Sequence, residues 1–192
     1  MSLFSRARKI CITLHREWIK KSLYVTSTGN YMKRYVRFLR KRGMDIPHMP
    51  NYICNDVHFD GKDYSVIHLG KNCTLSTGVY LLTHDYSMHT VFANGQSGMV
   101  LENEQWFYER DAKDKLLILQ GIHIDDNVFV GANALLLPGT HIGKNSIVGA
   151  GAVVKGTYPE ESIIVGNPAK VIGKTSEWLN KKAKLALEET EK

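Results

Sequence analysis

The sequence has few cysteines and no long apolar run. The three cysteines among 192 residues, Cys11, Cys54 and Cys73, are odd in number and show no CxxC spacing. They therefore predict neither a disulfide framework nor a cysteine zinc site. No stretch approaches the roughly 18 apolar residues that cross a bilayer. Charges stand at the start of the chain where a signal peptide has its apolar run, so we expect a cytoplasmic protein.

Acidic residues are nearly absent from the first part of the chain. Residues 1–43 contain twelve of the 25 Lys and Arg residues and a single acid, Glu17. Apolar residues in this segment recur at three- and four-residue steps, and Thr-Gly-Asn at 28–30 interrupts them. The pattern predicts a basic arm over residues 1–50 that contains two amphipathic helices.

Two interpretations of this arm stay open. The helices can pack on the rest of the protein and cover an exposed strand edge there. Alternatively, residues 1–43 make a peripheral contact with an anionic membrane through their cations. No nucleic-acid reader motif accompanies the basic charge, so we predict no nucleic-acid partner.

The second half of the chain carries a six-residue repeat. Every sixth residue from Ile118 to Val154 is aliphatic, and a second column three residues later holds Gly or Asn. Gly and Asn accept positive φ at the lowest steric cost, so this column predicts sharp corners between short strands. The pattern is typical of an all-β solenoid with strands stacked at about 4.8 Å. The corner residues are Asn72, Gly78, Gly121, Asn127, Asn133, Gly139, Asn145 and Gly151.

These repeats resemble those of the hexapeptide-repeat acyltransferases. The resemblance is carried by IDDNVFVGANALLLPGTHIGKNSIVGAGAVVKG (124–156) and YPEESIIVGNPAKVIG (158–173). It implies a left-handed parallel β-helix over residues 51–173, from which a loop at 85–117 is expelled. A short helix is expected over 174–192. The segment THDYS before the loop is most similar to sugar and polysaccharide O-acetyltransferases of the galactoside, maltose and colanic-acid type.

The catalytic group is expected where the repeat is interrupted. Continuing the first register through Leu81 places His84 at a corner, directly before the long irregular segment. A long loop in a tight solenoid is usually functional. In this family the acyl group is transferred directly, and an imidazole can take the proton of the attacking hydroxyl. His84 is therefore the predicted general base, with His89 as an alternative. Either Asp60 or Asp85 is expected to orient it.

The resemblance implies acetyl-CoA as the donor, lying along an edge of the solenoid. Lys155 and Lys170 are the expected cationic partners of its phosphates, with Lys174 as a further candidate. Where maltose and galactoside enzymes have Trp and Ser, this chain has an aromatic residue and an alanine, so a backbone amide must replace the serine contact. The matching donor-binding positions are Phe129, Gly131, Ala132, Gly149 and Ala150.

A coil of eighteen residues also predicts which outward side chains stack. Exposed apolar columns are a liability in a monomer, and the resemblance implies a homotrimer with each active site between two subunits. The histidine column holds two histidines without a third ligand, so no metal is predicted. The predicted pairs are His123 over His141, Phe129 over Ile147, and Leu135 over Val153.

The predicted activity is transfer of an acetyl group from acetyl-CoA to a hydroxyl of a sugar or surface-glycan precursor. Acetylation of the amino group of an amino-sugar nucleotide is an alternative within the same family. A carbonic-anhydrase-like zinc solenoid would have to use His84, His89 and His123. A non-catalytic solenoid is the remaining alternative.

Overall fold

A computed structural model of the chain describes residues 3–61, 64–85, 87, 99–102, 105–108 and 118–190. Four α-helices lie in this part of the chain: α1 (Leu3–Trp18), α2 (Tyr24–Thr26), α3 (Thr28–Lys41) and α4 (Thr175–Thr190). A π-helical turn (Ile19–Leu23) joins α1 to α2. None of the described helices is long and apolar enough to cross a membrane.

The described residues between α3 and α4 form eighteen short strands. These are β1 (Tyr52–Ile53), β2 (His58–Phe59), β3 (Ile67–Leu69), β4 (Thr74–Leu75), β5 (Tyr80–Leu81), β6 (His84–Asp85), β7 (Met99–Glu102), β8 (Gln105–Tyr108), β9 (Ile118–Leu119), β10 (Ile122–Ile124), β11 (Phe129–Val130), β12 (Leu135–Leu136), β13 (His141–Ile142), β14 (Ile147–Val148), β15 (Val153–Val154), β16 (Thr157–Tyr158), β17 (Ser162–Gly166) and β18 (Ala169–Lys174).

Most of these strands form three parallel sheets, which are the faces of a solenoid. Face A contains β3, β10, β13 and β16, and face C contains β2, β5, β12 and β15. Face B runs from β1 through β4, β11 and β14 to β17, and β18 then pairs antiparallel with β17. The chain visits the faces in the order A, B, C in each coil. Three edges result, which are named AB, BC and CA by the faces they join.

The corners use the residues that the repeat predicted. Asn72, Asn127 and Asn145 at edge AB have φ of 57°, 60° and 58°. Their side chains also bond to one another. The amide of Asn72 donates to Asn127 at 3.1 Å, and the amide of Asn127 donates to Asn145 at 3.0 Å. The predicted corner residue Gly121 differs, because its φ is not positive and the chain enters β10 there from the interrupted coil.

The interior of the solenoid is filled by the predicted aliphatic column. Its residues from Ile124 to Val154 are fully buried. The polar side chain of Thr140 also lies in this interior and keeps its hydrogen bonds. The hydroxyl of Thr140 donates to the carbonyl oxygens of Leu137 and Val154, at 2.7 and 3.0 Å. A β-branched residue of modest volume therefore fills a corner and also links neighbouring coils.

Helix α3 covers the open end of the first coil. The hydroxyl of Tyr31 donates to the carbonyl oxygen of Ile53 at 3.0 Å, and the Ile53 amide donates to the sulfur of Met32 at 3.4 Å. The outer backbone groups of the first strand thus find partners in the helix, as the covering interpretation of the arm predicted. The predicted break at 28–30 lies one residue too late. Ser27 caps α3 by accepting a hydrogen bond from the Asn30 amide.

Candidate active site

The coil that carries β5 is interrupted at edge CA. Strand β6 leaves the coil and pairs antiparallel with β9, which returns to it, with His84 opposite Leu119. The prediction of a corner at His84 is therefore wrong, because the outgoing and returning segments pair and hold His84 in extended backbone. Strands β7 and β8 form a hairpin within the predicted loop. The remainder of that loop, including His89, lies outside the described residues except for Asp85 and Ser87.

Asp60 is the acidic partner of His84. Its Oδ2 atom contacts Nδ1 of the imidazole and also accepts a hydrogen bond from the Thr83 amide at 3.2 Å. The aspartate belongs to the coil below, where its own amide donates to the Leu81 carbonyl oxygen at 3.1 Å. The Asp60 side chain is 13% exposed and the His84 side chain 29% exposed. A carboxylate held by the coil therefore orients an imidazole that solvent still reaches.

Asp85 has a different local partner. Its Oδ1 accepts a hydrogen bond from the Ser87 amide at 2.7 Å. This backbone hydrogen bond lowers the pKa of Asp85, and the hydroxyl of Ser87 adds to the effect. Of the two acidic residues that the sequence left open, the structure joins Asp60 to the Nδ1 atom of His84.

A cleft of about 210 Å³ opens beside this pair. Lys155 reaches it from the corner after β15, two coils above His84, so its cation faces the same space as the imidazole. Pro138 contributes a rigid apolar wall from the coil between them. The full lining consists of Leu82, His84, Asp85, Gln120, Leu137, Pro138 and Lys155.

The predicted donor-binding positions lie mainly on another edge. Gly131 and Ala132 form one corner of edge BC, and Gly149 and Ala150 form the next corner. The two corners are in close contact, since a Cβ on Gly131 would lie 2.6 Å from the Ala150 nitrogen. Phe129 stands on face B beside this edge with 44% of its surface exposed. The result is a narrow strip of backbone flanked by an exposed ring.

Lys170 lies beyond the Gly149 corner, because its strand partner Val165 is next to Gly149. It belongs to β18, where it pairs with Val165 across the hairpin at the end of face B. The predicted site residues thus divide between two edges of the solenoid. His84, Asp60, Asp85 and Lys155 meet at edge CA, whereas the backbone strip lies at edge BC within the described chain.

Face A holds residues whose combination was missed by sequence reasoning. The predicted stacking of His123 on His141 is confirmed, and His68 extends the column on the other side of His123. The insertion separates these histidines in the numbering, but His68 precedes Leu69 as His123 precedes Ile124. Burial, followed by the neighbouring His68 and His141 rings, lowers the pKa of His123. These effects favour the neutral form of its imidazole.

Two family models match the repeats. The model "Bacterial transferase hexapeptide (six repeats)" matches residues 121–156, and "Hexapeptide repeat of succinyl-transferase" matches residues 67–83. The two matches lie on either side of the insertion that interrupts the repeat. The comparison with curated protein sequences finds no significant match.

Solved structures with the same fold include two acetyltransferases. A galactoside acetyltransferase in complex with coenzyme A is 18% identical, with a TM-score of 0.51, over 91% of this chain and 84% of that one. A hexapeptide-repeat acetyltransferase from Vibrio cholerae, complexed with acetyl coenzyme A, is 17% identical with a TM-score of 0.52. That match covers 90% of each chain. Together with the repeat models, these similarities confirm the predicted left-handed parallel β-helix with terminal helices.

Proposed function

Because its repeats match hexapeptide-repeat transferase models, we propose that the chain transfers an acetyl group from acetyl-CoA to a hydroxyl of a sugar or surface-glycan precursor. The observation that carries this proposal is the contact between His84 and Asp60 at the interrupted coil. An oriented imidazole beside an open cleft is what direct attack by a hydroxyl requires. Coenzyme A and acetyl coenzyme A in the two similar structures support the choice of donor.

His84 acts as the general base in this proposal. Asp60 accepts the hydrogen bond from Nδ1, so the proton of the neutral ring resides on Nδ1 and Nε2 is the basic nitrogen. Nε2 takes the proton of the acceptor hydroxyl as its oxygen attacks the thioester carbonyl. The protonated ring is stabilised by the Asp60 carboxylate until the thiolate of coenzyme A leaves and is protonated.

Edge BC is proposed to hold the pantetheine arm of the donor. The backbone strip around Gly131 and Ala150 lacks bulky side chains, so an extended chain can lie close to it. Phe129 offers an exposed ring at the start of this strip. Lys155 and Lys170 are the candidate cations for the phosphates, and no metal is needed for this chemistry.

The division of the site between two edges supports a homotrimer. The cleft at His84 is about 210 Å³, below the roughly 300–1,000 Å³ typical of small-molecule sites. Apolar side chains are exposed on both faces that meet at edge BC, with Tyr80 47% exposed on face C and Phe129 44% exposed on face B. Packing these faces between copies buries them and brings edge BC of one copy toward His84 of another.

Helix α1 is the proposed contact with an anionic membrane. Ile10, Leu14 and Trp18 lie four residues apart along it and are 59%, 64% and 46% exposed. Helix α3, by contrast, buries its apolar face on the solenoid. An exposed apolar stripe on a basic helix fits the interface of an anionic bilayer, and such a contact would concentrate a lipid-linked acceptor.

An acceptor screen tests the activity. The chain is incubated with acetyl-CoA and a panel of free, nucleotide-linked and lipid-linked sugars, and thiol release is measured. We expect thiol release only with a sugar acceptor, and an acetylated product that mild alkali hydrolyses. An alkali-stable amide product would instead assign N-acetylation. No acceptor-dependent release with any of these sugars would contradict the proposal.

Vesicle flotation tests the membrane contact separately. The full chain should float with vesicles that contain phosphatidylserine but not with phosphatidylcholine vesicles, and high salt should abolish flotation because it screens the cations. Leu14→Glu places a charge in the apolar stripe and should abolish flotation. Leu179→Glu, at an exposed leucine of α4, alters charge equally and should leave flotation intact. Flotation that is insensitive to Leu14→Glu would overturn this assignment.

A further inference from the structure

Face A carries a column of three adjacent imidazoles outside the active-site cleft, of which the first two are stacked and the third meets the second edge to face. His68, His123 and His141 occupy the same register position on three successive strands. The ring of His68 is parallel to that of His123, with 4.0 Å between centroids, and the centroid of His141 lies 4.7 Å from that of His123. Outward positions on adjacent rungs of a parallel sheet are about 4.8 Å apart, so the fold itself brings these rings together.

A carboxylate from the following corner points at two of the rings. Oδ1 of Asp125 lies 2.9 Å from Nε2 of His123 and 3.4 Å from Nε2 of His141. The three ligand atoms all lie within 4.8 Å of one another. Side-chain exposures are 47% for His123, 43% for His141 and 23% for Asp125, so solvent reaches the group.

We propose that His123, Asp125 and His141 bind one divalent transition-metal ion of the Zn²⁺ class. The ligand atoms are Nε2 of each histidine and Oδ1 of the aspartate, and water completes the coordination. Within the described residues this is the group of three metal-ligating side chains that converges on one point. The site is separate from the cleft that contains His84, since it lies on face A rather than at edge CA.

The donor set and spacing match such an ion. Ligand atoms bound tetrahedrally at the usual zinc distances lie about 3.4 Å apart. The observed separations of 2.9 and 3.4 Å from Oδ1 are close to that value, and the two imidazole nitrogens lie within 4.8 Å of each other. Imidazole nitrogen favours zinc, nickel, cobalt or copper, whereas calcium and magnesium favour sites made of oxygen alone.

His68 acts as a positioning residue for this site. Its Nδ1 lies 2.6 Å from Oδ2 of Asp45, which holds the ring in place. The parallel stack then restricts rotation of the His123 ring, on the side opposite His141. Because His123 and His141 belong to adjacent coils, the bound ion would join β10 to β13 and stabilise the folded solenoid by mass action.

Calorimetry with Zn²⁺ alone tests the proposal. The chelator-treated full chain should bind one Zn²⁺ per chain, and Asp125→Asn and His141→Ala should each weaken binding by about 10- to 100-fold or more. His58→Ala is the matched control. His58 is an exposed histidine of face C that stacks on Tyr80, and its removal should leave binding unchanged.

A second readout identifies the ligands. Co²⁺ bound to two histidines and one carboxylate should show visible absorption bands of four- or five-coordinate cobalt, and these bands should be lost in His123→Ala. His68→Ala should reduce affinity less than loss of a ligand, because it removes a positioning contact. No binding by the wild-type chain would overturn the proposal. Binding that survives loss of His123 and His141, or one ion for every three chains, would overturn it as well.

Discussion

Edges AB and CA of the solenoid are built from the same repeat but differ in what their corners do. On three successive coils, the corner at edge AB is an asparagine with positive φ. The side chains of these asparagines form hydrogen bonds from one coil to the next. Three coils of edge CA turn at a glycine with positive φ, namely Gly61, Gly139 and Gly156, whereas the interrupted coil has the extended His84. Beside these glycines lie Asp60, Pro138 and Lys155, which differ in type from coil to coil.

In this repetitive fold, a catalytic side chain can be placed where the backbone does not restrict the corner residue. A corner residue at edge AB is selected by the backbone, because few side chains tolerate positive φ. At edge CA the chain leaves the coil through β6 and returns through β9, so the backbone no longer dictates the residue at position 84. That position can hold an imidazole, and the coil below supplies its carboxylate partner. The interruption of the six-residue repeat thus coincides with the candidate site.

The largest expected effect follows from loss of the imidazole at edge CA. His84→Ala should lower kcat about 10²- to 10⁴-fold, the usual contribution of a general base. The KM for acetyl-CoA and the melting temperature should change little. Steady-state thiol release with the identified acceptor measures this. Asp85→Asn is the matched control and should retain most activity, because Asp85 contacts the Ser87 amide instead. Full activity of the His84 variant would contradict the assignment of the general base to edge CA.

Loss of the orienting carboxylate should have a smaller effect. Asp60→Asn keeps a side chain of the same shape but removes the charge, so the ring loses its fixed tautomer while Nε2 remains present. We expect kcat to fall about 10- to 100-fold, with the KM for acetyl-CoA and the melting temperature little changed. An unchanged kcat would show that the contact is merely structural.

The third prediction concerns the faces beside edge BC. If copies share the site, light scattering should report a mass about three times the 21.7 kDa of one chain. Leu135→Arg, on the outward column of face C, should disperse the assembly and lower activity about tenfold or more. Thr157→Arg, at an exposed position of β16 on face A, places the same charge away from these faces and serves as the control. A dispersed variant with full activity would contradict a shared site.

The asparagine column of edge AB predicts a moderate loss of stability. Asn127→Ala keeps a Cβ in a backbone conformation with φ of 60° and removes both side-chain hydrogen bonds. We expect the free energy of unfolding to fall by about 1–3 kcal/mol. Asn127→Gly relieves the backbone strain and should lose less. Urea unfolding of the two variants measures the difference, and activity should remain in both. Equal loss in both would assign the effect to the hydrogen bonds alone.

The smallest effect concerns thiol reactivity at edge AB. Cys73 lies directly after the corner residue Asn72, is fully buried and donates to the Asp125 carbonyl oxygen at 3.0 Å. Burial raises its pKa to about 11, so it stays a protonated thiol at pH 7.5. Cys11 on α1 is exposed. Iodoacetamide followed by peptide mass spectrometry should label Cys11 and leave Cys73 unlabelled until urea is added. Labelling of native Cys73 would show that edge AB opens readily.

The repeat made much of the fold predictable from sequence. Aliphatic residues recur every six positions, and Gly or Asn follows three positions later. This pattern predicts the strands, the corners and the stacking register, because every coil has the same backbone conformation. His123 over His141 and Leu135 over Val153 follow from counting alone. The position of His84 beside the interruption was also readable, but its extended conformation was not, since it depends on β9 returning to pair with β6.

The solenoid and the residue types at its corners follow from the amino-acid sequence, because they depend on contacts one coil apart at fixed spacing. The contact of the Asp60 carboxylate with Nδ1 of His84, and the position of Asp125 between His123 and His141, became visible only in the folded chain. Both features depend on the direction in which a side chain leaves a corner, which is set by hydrogen bonds of the neighbouring coil. The spacing of residues along the chain predicts the register of the coils, but it does not predict the direction of a corner side chain.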